Sequence, residues 1–333
     1  MTQVRFLFPA RSSEHGGNAT TAKRLAAALE TRGHSCSVQQ IRADADEASM
    51  LEGDPEILVA LHAIDCGPAV ARAAKQAGIP WICVFPGTDL NGKPPRAAVA
   101  AVAQAKTAIA LAPHARKRAA EIFERLDIEV LPQAARPLPE PRGGARLPEG
   151  LPELPPDAFL IVQPTGIRSV KAPCVGIEAL AALAKEEPRL RLWIAGPQLE
   201  EDEAVRLRET VAAHPWSAWI GVLPHDKLAG VLRRANLVLS TSRSEGAAPN
   251  SLLEAALFSK PILASDIPAH RFFPGQDFLF RDARELRRAV RGQLEEPAKA
   301  AMAGRQLRET TRTRFDQLRE AVAWDRLIAR VLG

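Results

Sequence analysis

The sequence predicts an α/β protein of two domains, each with a parallel sheet between layers of helices. Short apolar runs rich in β-branched residues alternate with helical patterns along most of the chain, and this alternation is typical of parallel strands joined by crossover helices. A proline-rich stretch interrupts the alternation near the middle of the chain, after which it restarts. The length of 333 residues also exceeds the size at which one hydrophobic core stops growing.

The first domain is assigned to residues 1–140 and begins with a strand over 5–10. The helix after this strand carries apolar residues at helical spacing from Ala19 to Leu29, and Gly33 ends it. Alanine-rich helices separate most of the later strands, which are predicted at 37–41, 56–61, 81–85, 107–111 and 128–131.

A linker is predicted at 141–157, inside the proline-rich stretch from Pro132 to Pro156. Closely spaced prolines and glycines cannot sustain a helix or an inner strand. The alternative is a long loop within one domain, which is less consistent with the rarity of unstructured insertions of this length.

The second domain is assigned to residues 158–313, and residues 314–333 are assigned to a C-terminal helix. The last helix is amphipathic, with Val322, Trp324, Leu327, Ile328 and Val331 on its apolar side. Within the second domain, helices are predicted at 174–185, 202–213 and 225–234, and strands at 159–162, 191–197, 218–222, 237–239, 261–265 and 277–280.

Composition excludes several classes of protein. The net charge of +5 and the pI near 9.2 suit phosphate-bearing ligands but are too weak to indicate nucleic-acid binding, and the absence of tyrosine removes a common stacking residue. No stretch is apolar enough to span a membrane, so any membrane association is at most peripheral. The cysteines lie far apart without metal-ligand spacing, which predicts free thiols in the cytoplasm and no metal site: Cys36, Cys66, Cys83 and Cys174.

Candidate site residues of the first domain follow its strands, where ligands gather in open parallel sheets. Gly16, Gly17 and Asn18 precede a helix start, where paired glycines let a ligand approach the backbone. This loop does not match the dinucleotide-binding glycine pattern. His62 follows the third strand, and its alternative is a purely structural histidine. Thr88, Asp89 and Asn91 follow the predicted strand at 81–85 and are candidates for the acceptor side of the site. The alternative for these residues is an ordinary Asx turn at a helix entry.

The second domain carries the more specific residues. Gly166, Arg168 and Lys171 lie between its first strand and first helix. Two cations three residues apart suit a diphosphate, which Arg168 contacts bidentately and Lys171 contacts as a point charge. A solvated basic loop is the alternative.

A strand, a polar turn and a helix start then occupy residues 237–255, where carboxylates suit the hydroxyls of a sugar or ribose. Capping serines and surface glutamates are the alternative there. The candidates in this stretch are Glu245, Gly246, Asn250, Ser251 and Glu254.

Together these motifs resemble the GT-B glycosyltransferases of the large retaining family 4, over nearly the whole chain. The resemblance implies two Rossmann-like domains facing a cleft, with a donor diphosphate at Arg168 and Lys171. It also implies that the C-terminal helix over 314–333 packs back on the first domain. It further implies that Glu245 contacts the donor sugar, Glu254 contacts the ribose and His62 lies beside the sugar. His62, Arg168, Lys171 and Glu245 are the expected catalytic group.

Further matches resemble a subgroup that contains glycosyltransferase-1-domain-containing proteins and bacterial selenosugar synthases, which use UDP-N-acetylglucosamine. They comprise residues 17–22, 61–63, 87–90, Gln133 and 168–173. Two departures stand out. The family pattern has seven residues between its paired glutamates, whereas eight separate Glu245 from Glu254, and we expect the extra residue in the turn 246–249 before an intact helix start. Residues 64–66 are Ile-Asp-Cys, where the selenosugar-synthase pattern tends to carry basic residues.

The expected function is therefore retaining, metal-independent transfer of a hexose from a nucleoside-diphosphate sugar, a UDP sugar being favoured. No cofactor is expected. The acceptor is a small or anionic molecule, a sulfur or selenium nucleophile included, while the oligomeric state is not readable from the sequence. Two alternatives stay open: a nucleotide-sugar epimerase, and a non-catalytic GT-B partner protein in which the displaced Glu245 no longer supports turnover.

Overall fold

A computed structural model describes residues 1–10, 16–42, 44–139, 147, 149–273 and 278–333. It divides into two compact units. Unit 1 comprises Met1–Ala134, Gly246–Ala248 and Phe315–Gly333, and unit 2 comprises Ala135–Glu245 and Pro249–Arg314. Of the predicted linker over 141–157, residues 141–146 and 148 lie outside the described residues. So do residues 11–15, before Gly16, and Asp277, the first residue of the strand predicted at 277–280.

The sheet of unit 1 has six parallel strands in the order β2-β1-β3-β4-β5-β6. Its strands are β1 (Gln3–Pro9), β2 (Ser35–Ile41), β3 (Ile57–Leu61), β4 (Trp81–Phe85), β5 (Thr107–Ala110) and β6 (Ile128–Val130). The helices of this unit are α1 (Gly17–Glu30), α2 (Glu47–Leu51), α3 (Gly67–Ala77), α4 (Arg96–Gln104), α5 (Pro113–Phe123) and α13 (Gln317–Leu332). The strand order reverses between β1 and β3, so a crevice is expected beside their carboxyl ends, at the loops that hold Gly16 and His62.

The core of unit 1 is closed by its last helix. Trp324, Leu327 and Ile328 of α13 join one buried apolar cluster with residues of β1, β3 and α1, and the Phe6 and Trp324 rings lie 6.4 Å apart. An ion pair between Arg24 of α1 and Glu320 of α13, both 5% exposed, adds a buried charged contact between the same two helices. Burial of this apolar face gives α13 its place in the unit.

Unit 2 also contains a sheet of six parallel strands, in the order β12-β11-β10-β7-β8-β9. Its strands are β7 (Phe159–Pro164), β8 (Leu190–Ala195), β9 (Ser217–Trp219), β10 (Leu237–Ser240), β11 (Ile262–Ser265) and β12 (Leu279–Phe280). Its helices are α6 (Cys174–Glu186), α7 (Glu201–Ala213), α8 (His225–Arg234), α9 (Asn250–Leu257), α10 (Pro268–Arg271), α11 (Ala283–Glu295) and α12 (Pro297–Arg314). The order reverses between β7 and β10, which brings the loops after these two strands to one point of the sheet edge.

These observations confirm the predicted α/β class with two parallel-sheet domains, and they correct some element bounds. The strand predicted over 218–222 ends at Trp219, because Gly221 adopts a φ of 70° and turns the chain. The short helices α2 and α10 were not predicted, since helices of one turn carry no readable periodicity. Among the described helices, none combines the length and hydropathy that a membrane span requires.

Candidate functional site

The loop after β7 is tied to the end of β10 by a hydrogen-bonded threonine. Thr241 Oγ1 lies 2.8 Å from the carbonyl oxygen of Ala172 and 3.1 Å from that of Lys171, and it accepts a hydrogen bond of 2.7 Å from Gln163 Nε2. The Arg243 amide adds a 2.8 Å bond to the Val170 carbonyl. These bonds hold residues 170–172 at the point where the strand order reverses, so the backbone of Lys171 is fixed there.

Arg168 is the cation of this loop whose guanidinium makes no ion pair with a described residue. Its Nε is buried without a hydrogen-bond partner, and within the described ranges no hydrogen bond or ion pair reaches its guanidinium. The nearby Glu200 carboxylate accepts a 2.7 Å bond from the Ser169 amide, which together with the charge of Arg168 lowers the pKa of Glu200. A partly buried guanidinium with unused donors is suited to bidentate binding of an anion such as a phosphate.

Lys171 and Glu245 form an ion pair with side chains 15% and 11% exposed. The Ser242 hydroxyl donates a 2.8 Å hydrogen bond to the same carboxylate oxygen. Burial by itself raises the pKa of Glu245, but the Lys171 ammonium and the two hydrogen bonds outweigh it and hold the pKa below its ordinary value. Glu245 is therefore ionised at neutral pH, and its carboxylate is an acceptor for hydroxyl groups.

Glu254 occupies a different electrostatic environment on α9. It is partly buried, and no cation or hydrogen-bond donor pairs with its carboxylate in the described part of the chain. Burial alone raises the pKa of Glu254 to about 8. The helix that carries it begins at Asn250 directly after Pro249, with Ser251 in its first turn, so the predicted intact helix start is confirmed.

Residues 246–248, in the turn where we expect the extra residue, are counted with unit 1. The Gln133 side-chain amide donates to the Ala248 carbonyl, and Ala247 is buried among core residues of unit 1. The backbones of Gly87 and Gly246 approach so closely that a Cβ on either residue would overlap the other. Gly246 was predicted as a donor-binding residue. Its close packing against Gly87 within unit 1 is by itself enough to require a glycine at this position.

His62 lies at the carboxyl end of β3 in a strained conformation. Its φ of 132° is rare for a residue with a side chain and is typical of functional sites. The Asp65 amide lies 3.1 Å from His62 Nδ1, and His62 Nε2 lies 3.0 Å from Thr88 Oγ1. The structure thus brings two predicted residues, His62 and Thr88, into direct contact.

Asp89 has a different role from the one predicted for it. Its side chain is fully buried, and its two carboxylate oxygens accept hydrogen bonds from the Ala63 amide at 2.9 Å and the Gly87 amide at 3.1 Å. Burial raises the pKa of Asp89. A carboxylate without exposed surface has no room for an acceptor molecule, so Asp89 braces the ends of β3 and β4, whereas Thr88 and Asn91 are exposed.

The glycine loop before α1 is only partly described. Gly16 caps the helix, and the Thr20 amide donates to its carbonyl at 3.0 Å. Gly17 has a negative φ, and an added Cβ would meet open space. Neither strain nor packing therefore explains this glycine, and Asn18 follows it partly buried at the carboxyl edge of the sheet.

Sequence reasoning did not identify His270, which lies beside Ser240 and Ser265 at the carboxyl ends of β10 and β11. It is fully buried, and it lies close enough to Glu245 and Lys171 for their charges to affect its pKa. No local motif marks it, because its contact with Ser240 joins residues that are 30 positions apart. His270 can be identified only from the close packing of these strand ends, which exists only in the folded sheet.

Two sequence comparisons relate this chain to glycosyltransferases. The family model described as "Glycosyl transferases group 1" matches residues 159–296. The Glycosyltransferase 1 domain-containing protein 1 of Xenopus tropicalis is 26% identical over 288 residues, which cover 80% of each chain.

Two solved structures show the same fold along the whole chain. The Anabaena protein HepE, in complex with UDP and glucose, superposes with a TM-score of 0.78 at 15% identity, over 99% of this chain and 100% of HepE. A glycosyltransferase from Rickettsia africae superposes with a TM-score of 0.78 at 14% identity, over 100% of this chain and 99% of its own. Residues 159–296 thus resemble the glycosyl transferases group 1 family, and the chain has the fold of the GT-B glycosyltransferases.

Proposed function

We propose that this protein is a retaining glycosyltransferase that transfers a hexose from a UDP sugar, UDP-N-acetylglucosamine or a related UDP-hexose. We further propose that it belongs to family 4, near the subgroup of its Xenopus relative and the selenosugar synthases. One observation carries the proposal. At the point of unit 2 where the strand order reverses, the loop after β7 holds Arg168 and Lys171, and the loop after β10 holds Glu245.

Each group has a defined task in this proposal. Arg168 and Lys171 neutralise the charge that develops on the leaving diphosphate, and such stabilisation of developing charge is the largest single term in many enzymes. These cations carry that charge in place of a metal ion. Glu245 accepts hydrogen bonds from sugar hydroxyls, and Glu254 accepts them from the ribose. The leaving phosphate takes the proton of the acceptor, so we assign no protein base.

The acceptor is proposed to be small or anionic, a sulfur or selenium nucleophile included. His62 with Thr88 and Asn91 lies at the carboxyl edge of the unit 1 sheet, where α5 contributes exposed cations that include Lys117. The Arg118 side chain donates a 3.3 Å bond to the Leu90 carbonyl, which holds its guanidinium beside this loop. Cations near an acceptor loop favour a negatively charged acceptor. A cytoplasmic protein with at most peripheral membrane contact and without nucleic-acid partners is consistent with this proposal.

The test is a binding and product analysis with the whole chain. Calorimetry is expected to show binding of UDP and of UDP-N-acetylglucosamine, but weaker binding of UMP, since UMP lacks the second phosphate for Arg168. An acceptor screen by UDP release, followed by NMR of the product, is expected to show a retained anomeric configuration. Sugar isomerisation without an acceptor would instead identify an epimerase, and donor binding without any UDP release would identify a non-catalytic partner protein.

Donor binding is expected to strengthen as pH rises from 7 to 9, because the ribose requires an ionised Glu254. With a pKa of about 8, roughly a tenth of Glu254 is ionised at pH 7. If only the ionised form accepts both ribose hydroxyls, the Kd of UDP falls about tenfold over this range. Calorimetric titration of UDP at several pH values measures the change.

The Glu254→Gln variant is the matched control for this pH dependence. It removes the titrating group but keeps the ionisation of the UDP phosphate, so its Kd is expected to be weaker overall and to change little between pH 7 and 9. An equal pH dependence in the variant and the wild type would reject the role of Glu254.

The raised pKa of Glu254 also affects stability. Between pH 4.5 and about 8 the carboxyl group is protonated in the folded protein but ionised in the unfolded chain. The free energy of unfolding is therefore expected to fall as pH rises through that window.

A further inference from the structure

His270 lies close enough to Glu245 for the two side chains to interact electrostatically. The residue is fully buried at the carboxyl ends of β10 and β11. Its Nδ1 is 2.7 Å from the Ser265 carbonyl oxygen. Because a carbonyl oxygen only accepts, this nitrogen carries the ring proton and donates it. In the neutral ring, Nε2 is then an acceptor, and Ser240 Oγ lies 3.3 Å from it.

Two routes lead from the His270 ring to Ser242, and only the first is hydrogen-bonded throughout, because Ser240 has one hydroxyl proton and gives it to Nε2. In the first, Nδ1 holds the backbone of Ser265, and the Ser265 hydroxyl donates to the Ser242 carbonyl. In the second, Nε2 contacts Ser240, whose hydroxyl lies 3.4 Å from Ser242 Oγ. The first route consists of short bonds, and the second is longer than an ordinary O–H···O bond. Ser242 in turn donates to Glu245 at 2.8 Å.

The surroundings of the ring favour a fixed, uncharged form. Burial lowers the pKa of His270, more than the Ser265 carbonyl and the Glu245 charge raise it. A neutral histidine with Nδ1 protonated has one donor and one acceptor, and both are used here. The ring therefore acts as a rigid spacer between the ends of two neighbouring strands.

We propose that His270 is a positioning residue of the donor site, which sets the orientation of the Glu245 carboxylate toward the donor sugar through Ser265 and Ser242. This inference rests on the proposed function, because the task of Glu245 comes from it. It predicts that His270 affects recognition of the sugar moiety and leaves recognition of the UDP moiety unchanged, since Arg168 and Glu254 are not part of these two routes.

Two substitutions separate the routes. An asparagine side chain places its amide near the position of Nδ1 and retains the bond to Ser265, whereas a glutamine reaches toward Nε2 and loses that bond. His270→Gln is expected to weaken UDP-N-acetylglucosamine binding by about five- to tenfold, the effect of one lost hydrogen bond, with UDP binding changed by less than about twofold. His270→Asn is expected to weaken UDP-N-acetylglucosamine binding less than His270→Gln does. Size alone predicts the opposite order, because glutamine is nearer to histidine in volume.

His214→Gln is the matched control, because His214 Nδ1 also lies 2.8 Å from a backbone carbonyl, that of Thr210, at the end of α7. It is expected to leave both affinities unchanged. In a double-mutant cycle, His270→Gln should add little to the effect of Glu245→Gln if it acts through that carboxylate. Circular dichroism and thermal unfolding of each variant report on folding.

The outcomes are distinct. Equal weakening of UDP and UDP-sugar binding in His270→Gln, better tolerance of glutamine than of asparagine, or additivity with Glu245→Gln would each overturn the positioning role while leaving the proposed function intact. Wild-type protein that binds no UDP sugar would overturn the proposed function, and the role of His270 with it.

Discussion

Arg168→Ala is expected to lower kcat/KM for transfer from a UDP sugar by about 100- to 1000-fold, the range for removal of one group that stabilises developing charge. The physical reason is that the leaving diphosphate loses its bidentate cation, while Lys171 shares its charge with Glu245. The effect should appear mostly in kcat, because the charge on the diphosphate increases in the transition state. Initial rates of UDP release, with calorimetric Kd values for UDP, measure both parts.

Arg189→Ala is a suitable control for this experiment. Arg189 lies just before β8, at the amino ends of the strands, and its only described ion pair is the half-exposed one with Glu187. Its removal is expected to leave turnover unchanged. Arg168→Lys should be intermediate, because lysine supplies the charge without the planar fork of donors. Wild-type turnover in Arg168→Ala would contradict the assignment of the phosphate site.

Glu320→Ala is expected to destabilise unit 1 by about 3–5 kcal/mol, the range for removal of one partner from a buried ion pair. The variant leaves the Arg24 charge buried without its carboxylate, and Arg24 Nε and Nη2 already lack partners among the described residues. It also removes the acceptor of the Ala134 amide, 3.0 Å from Glu320 Oε1. Such a loss is a large fraction of the stability of a typical domain. Urea unfolding, and hydrogen exchange in α1 and α13, measure it.

Two further variants show whether the effect comes from burial of the charge. Glu129→Ala removes the partner of Arg330, also on α13, but that pair is 41% and 60% exposed, so a loss of no more than about 1 kcal/mol is expected. Replacing both Arg24 and Glu320 by leucine should recover most of the stability, because neither charge is then left unpaired. A double variant as unstable as Glu320→Ala would contradict this explanation.

The two-domain α/β fold was predictable because buried parallel strands are short, continuous apolar runs. The helix His225–Arg234 was predicted with the bounds that the structure shows, and the helix start at Asn250 was predicted from the pattern of residues 250–255. The pattern failed where one residue reverses the chain, as Gly221 does after β9. Helices as short as α10 were also missed, since one turn has no period to recognise.

The sequence was sufficient to predict which loops carry the candidate site and which charged residues they contain. Arg168, Lys171, Glu245 and Glu254 were selected because they follow strands, and in parallel sheets the carboxyl ends of strands share one edge. The sequence contains no information on which of these groups pair. The ion pair between Lys171 and Glu245 joins residues 74 positions apart, and the burial that separates the pKa of Glu254 from that of Glu245 depends on packing around α9.

The sequence by itself therefore determined the periodicity of the elements, their order and the chemistry of the loops, because these depend on neighbouring residues. Only the tertiary structure decided the roles that depend on distant residues. Asp89 is buried and hydrogen-bonds the ends of two strands. His270 is linked to Glu245 by hydrogen bonds through Ser265 and Ser242. Burial and hydrogen bonding between strands that are far apart in sequence exist only once the sheet has formed.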